Sequence, residues 1–174
     1  MAVSFEGFPR TLQRSALRPG RWFVAADGAR PILCLATEVE DKGERLALVF
    51  TVPSAEHVEV ITVPISVLLD PFATVEDEVV FSPGQTEGLP MLVAPLRRAF
   101  REGALLRLTS GDLGIGVVPR GSGEMVAVSL TSGLRCEGFD LVFDRWSLAL
   151  RRAGVETRIG FFKPSHLYSE RRRV

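Results

Sequence analysis

Apolar residues in this chain come mostly in short runs that alternate with polar ones. Four early runs, 22–26, 32–39, 46–52 and 58–63, are rich in Val, Ile, Leu and Phe. Turn-forming residues separate them, namely Asp27-Gly28 and Asp41-Lys42-Gly43. Short apolar runs bounded by such turns predict β-strands, and the second and third, joined across 40–44, predict a hairpin. From His57, the order His-Val-Glu-Val-Ile-Thr-Val places Val58, Val60 and Thr62 on one face of a strand. Pro53 and Pro64 belong at strand ends or edges, because proline has no amide hydrogen to donate to a ladder. Further strands are predicted at 79–81, 104–109, 114–118, 125–130 and 155–162, and a short strand or turn at 65–69.

Two stretches instead repeat their apolar residues at helical spacing. In 92–102, Leu92, Leu96, Ala99 and Phe100 form a stripe opposite Arg97, Arg98 and Arg101, and Gly103 follows as a stop. In 139–153, Phe139, Val142, Phe143, Trp146, Ala149, Leu150 and Ala153 form a longer stripe. Asp140 and Asp144 stand near its start, Arg151 and Arg152 near its end, and Gly154 closes it. Helices and strands do not alternate strictly, which argues against a doubly wound parallel sheet. The predicted fold is α+β and mainly β: an antiparallel β-sandwich or barrel with two helices packed on one face or end. The predicted organisation is an irregular N-terminal segment (1–20), a single β-rich domain (21–166) and a basic C-terminal tail (167–174).

Composition agrees with one packed core: 174 residues, 46% hydrophobic and 24% charged. The 21 basic and 21 acidic side chains cancel, so no global field favours nucleic acid. Charge is unevenly spread, however. Counting Lys and Arg against Asp and Glu gives +3 for 1–37, −9 for 38–96 and +6 for 97–174. Such blocks either pair with one another on folding or leave an acidic face for a basic partner. In the second case the candidate binding residues are Glu76, Asp77, Glu78 and Glu87. No apolar run approaches the ~20 residues of a membrane-spanning helix, so membrane insertion is not expected. The first twenty residues lack the apolar centre of a secretory signal.

Catalytic and metal chemistry find little footing. Cys34 and Cys136 allow at most one bridge, and Cys34, inside a strand-like run, reads as a small buried hydrophobe. There is no Cys-x-x-Cys, and His57 and His166 stand apart, so neither a metal nor a cofactor is expected. Ser54-Ala-Glu-His57 holds the residue types of a nucleophile and base without the Gly-x-Ser-x-Gly turn that presents one. The glycines of 111–116 precede a strand-like Val117-Val118-Pro119, whereas a phosphate cradle opens a helix, so they read as a hairpin turn. Arg10 and Arg14, with Arg18, resemble the entry motif of PilZ domains, in which arginines clasp a cyclic dinucleotide. This implies an alternative, a cytoplasmic regulator binding an anionic nucleotide.

The order of several segments resembles the invasion-associated locus B family of bacterial proteins. Trp22-Phe-Val-Ala-Ala-Asp27 resembles that family's opening Trp-x-Val-x-Cys-Asp, with Ala26 in the cysteine's place. Cys34-Leu resembles the Cys-hydrophobic pair that follows, and Val63-Pro-Ile-Ser-Val-Leu-Leu69 resembles its Val-Pro-Leu-Gly-Val-Leu-Leu segment. Residues 96–103 are similar to its short helix, and Val128-Ser-Leu, then Gly138-Phe139 through Trp146, to its closing helix. The resemblance implies a non-enzymatic domain that makes protein–protein contacts at the cell envelope or host interface. A periplasmic or secreted location follows if a signal was removed, a cytoplasmic one otherwise.

Overall fold

The four early runs become strands β2 (Trp22–Asp27), β3 (Arg30–Asp41), β4 (Glu44–Ser54) and β5 (His57–Pro64), paired antiparallel in sequence order. The computed structural model describes residues 11–27, 30–54, 57–84, 102–119, 121 and 123–162. The hairpin between β3 and β4 turns at Lys42-Gly43, where both residues have positive φ, 52° and 79°. That is the backbone a two-residue turn needs to match the twist of its strands. Pro53 and Pro64 fall at the ends of β4 and β5.

Further strands extend this meander on both sides. A 3-10 turn at Ile65–Val67 leads into β6 (Leu69–Thr74), which returns to pair with β2 and also with β1 (Thr11–Leu12). On the other side, β13 (Trp146–Arg152) and β14 (Val155–Phe162) form a hairpin. β7 (Glu78–Pro83) lies along the outer edge of β13. A single parallel pairing, Phe161 with His57, joins β14 to β5. The nine-stranded sheet therefore runs β1-β6-β2-β3-β4-β5-β14-β13-β7. A second sheet contains β8 (Leu105–Leu108), β9 (Leu113–Val117), β10 (Val126–Ser129), β11 (Arg135–Cys136) and β12 (Phe139–Phe143), in the order β11-β10-β9-β8-β12.

The expected helix at 139–153 is absent. Its residues form β12, a break at Asp144-Arg145, and β13, and no helix of seven or more residues occurs among the described ones. The pair of packed helices is thus not supported: the longer one is replaced by sheet, and the described residues are nearly all β rather than α+β. Within β13, Trp146 and Leu148 join the main core while Ser147 and Arg151 are only half-buried. Ala149, on the face of those two, is buried as well, so it is the pairing with β7 and β14 that fixes the two-residue period. Gly154 is the second residue of a hairpin turn, Ala153-Gly154, with φ of 49° and 81°. Asp140, expected near a helix start, instead accepts two hydrogen bonds from Arg107 on the neighbouring strand, at 2.9 and 2.7 Å. That contact holds its carboxyl below the usual range. The other expected helix, 92–102, lies almost wholly outside the described residues, as does the tail 167–174.

Two larger apolar layers hold the fold, beside a small third cluster of Leu106, Leu108 and Ala127 on the smaller sheet. The main one lies between the sheets: Leu35, Leu48, Val58 and Trp146 from the larger meet Leu105, Ile115 and Val128 from the smaller. The second lies on the opposite face of β2, β3 and β4, where the larger sheet curls and β6 folds back with the N-terminal segment. Phe23, Cys34 and Val49 pack there against Leu17, Ile65 and Phe72. Phe23 and Phe72 meet edge to face at 5.3 Å, a geometry worth about 0.5–1.5 kcal/mol beyond area burial. Arg14 secures this fold-back. Its guanidinium donates to the carbonyls of Ser66 and Leu68 at 2.9 and 2.8 Å and to the Asp70 carboxylate at 3.2 Å. It also lies 5.6 Å from the Phe72 ring centre.

Candidate functional site: a cleft across three edge strands

The register of β7, β13 and β14 sorts their side chains into rows, because residues directly opposite in antiparallel strands share a face. On one face, Arg151 lies between Glu78 and Glu156, Ala149 between Val80 and Arg158, and Ser147 between Ser82 and Phe161. One step beyond the strands, the Gly84 amide donates to the Arg145 carbonyl at 2.8 Å, so Arg145 extends the same face as Ser147. An open cleft of about 390 Å³ occupies this upper end. Ser82, Ser147, Arg145, Arg158 and Phe161 line it, together with Pro83 and Gly84.

A β-bulge places Arg158. In a regular strand Arg158 and Phe161, three residues apart, would point to opposite faces. The register shifts between Leu148 and Ala149, which pair with Gly160 and Arg158, so Ile159 is the extra residue. Ile159 packs against the main core, and Arg158 joins Phe161 on the opposite face. A bulge of this kind re-aims a side chain, and bulges are common beside functional sites.

On the core side of the same strands, an aromatic stack lies beneath the cleft. Trp146 and Phe162 stack at 5.1 Å with their planes 10° apart, and Trp146 lies 5.5 Å from Phe81. The buried Trp146 indole Nε1 donates to the Gly103 carbonyl at 2.8 Å, which satisfies the one polar atom of that ring. Gly103 has φ of +82°, and a β-carbon there would overlap the Phe162 ring, so the stack needs glycine at this point.

The two ends of the ribbon differ in charge. At the lower end Arg151 donates to Glu78 and Glu156 at 3.1 and 3.2 Å, and Arg152 donates to Asp77 at 2.6 Å with Glu76 at 3.9 Å. At the upper end neither the Arg145 nor the Arg158 side chain has an ion-pair partner among the described residues. Three of the acidic candidates, Glu76, Asp77 and Glu78, are thus brought together in contact with arginines of the basic block. Glu87 lies outside the described residues. Of the arginine candidates, Arg14 is the clasp described above, Arg18 is exposed, and Arg10 lies outside the described residues. Sequence reasoning missed Arg145, Arg158 and Phe161. Their common signal is the proximity of basic and aromatic residues in 145–162, which gains meaning only once the register is known.

Titratable groups of the nucleophilic type are placed apart. His57 is half-buried beside Phe161 and Phe162, each 6.4 Å away between ring centres, and its Nδ1 is buried with no hydrogen-bond partner. Burial pushes the Cys34 thiol up to about 12, so it carries no thiolate near neutrality. Cys136 is also raised, chiefly by partial burial, and both cysteines are free. Among the described residues no group of three or more His, Cys, Asp or Glu is arranged to hold a metal, and no helix is long and apolar enough to cross a membrane. The chain matches no family model, no curated protein and no solved structure.

Proposed function

We propose that this protein is a non-catalytic binding domain that engages an acidic segment of a protein partner in the cleft above β7, β13 and β14. The observation that carries the reading is the contrast in arginine pairing. Arg151 and Arg152 are neutralised, whereas Arg145 and Arg158 line the cleft with no ion-pair partner among the described residues. Arginine suits this task, since its fork of donors matches a carboxylate and its plane stacks on aromatic rings. A partner of this class accords with the protein–protein role implied by the resemblance to the invasion-associated locus B family. The nucleotide alternative at Arg10, Arg14 and Arg18 has less support, because the Arg14 donors already serve Ser66, Leu68 and Asp70.

Amide NMR spectra of the full chain, titrated with a poly-glutamate and separately with a poly-lysine peptide, test this reading. The expected result is that poly-glutamate shifts signals from residues 145–147 and 158–162, and that the shifts fade as salt is added. Shifts produced only by poly-lysine, confined to 76–78, would overturn the reading in favour of an acidic docking face.

A further inference from the structure

We draw no further inference here: the strongest candidate, the exposed apolar pair of Val67 and Leu69 where the chain enters β6, carries nothing because nothing in the structure shows what covers it.

Discussion

One three-stranded ribbon carries two arginine environments that differ only in what the neighbouring strands place opposite. At the hairpin end, Arg151 faces Glu78 on one side and Glu156 on the other, and Arg152 reaches Glu76 and Asp77. At the far end, Arg145 has Gly84 beside it and Arg158 has Ala149 opposite. The first arrangement uses the charges of the two sequence blocks against each other. The second leaves two arginines with no ion-pair partner among the described residues. A cluster of arginines is thus no site in itself; the register decides which of them are already spent on structure.

The largest effect is expected where the free end meets the core. Trp146→Ala removes the aromatic stack, the hydrogen bond to Gly103 and a fully buried side chain, so it should cost about 3–5 kcal/mol in denaturant unfolding. A loss below about 1 kcal/mol would mean the cleft has no rigid base. Alkaline pH offers a second way to separate core from ribbon, since guanidinium groups keep their charge throughout the range concerned. The Cys34 thiol is raised from an ordinary value of 9.0 to about 12 by burial. The unfolded chain therefore loses that proton first. Stability contributed by the buried thiol is complete below pH 9 and is lost as pH climbs towards 12, a loss on the order of 4 kcal/mol. Cys34→Ala should flatten the stability curve above pH 9. An unchanged alkaline slope would show that the thiol is not the group responsible. Of smaller size, Gly103→Ala forces a side chain into positive φ and against Phe162, at a cost of about 1–3 kcal/mol by thermal unfolding. If it leaves both stability and peptide binding intact, the stack tolerates more movement than its packing suggests.

The two hairpins show how far such features can be recognised in the sequence. Lys42-Gly43 and Ala153-Gly154 adopt the same paired positive-φ turn. The first was legible because Asp and Lys before the glycine, flanked by runs of Ile, Val and Leu, leave no competing pattern. The second was not, because alanine is rarely found at positive φ and the flanking residues satisfy two periods together. Trp146, Leu148 and Leu150 obey the strand period, while Trp146, Ala149, Leu150 and Ala153 obey the helical one. Pairing with β7 and β14 decides between them, and that is tertiary information. The candidate site was less legible still. Carboxylates 76–78 are conspicuous in sequence, yet their arginine partners lie about seventy-five positions away. Arg158 reaches the Phe161 face only through the bulge at Ile159, for which Gly160 is the faint local signal.

The smallest expected effect is the sharpest test of the comparison, because it sets two single arginine truncations side by side. Arg151→Ala leaves Glu78 and Glu156 facing each other without the cation between them, so the unfolding midpoint should fall slightly in low salt. Exposed pairs are worth little, and the fall should shrink further as salt screens the two remaining carboxylates. Arg158→Ala breaks no ion pair among the described residues, so its midpoint should match the parent protein at every salt concentration. Its effect should appear only in peptide titration, where Arg151→Ala in turn should have none. Equal stability losses from the two substitutions would mean that Arg158 is tied into the fold just as firmly as Arg151, and the distinction between the ends of the ribbon would disappear. A salt-independent loss in Arg151→Ala would instead assign that residue's contribution to the packing of its aliphatic stem across β7 and β14, with its charge incidental.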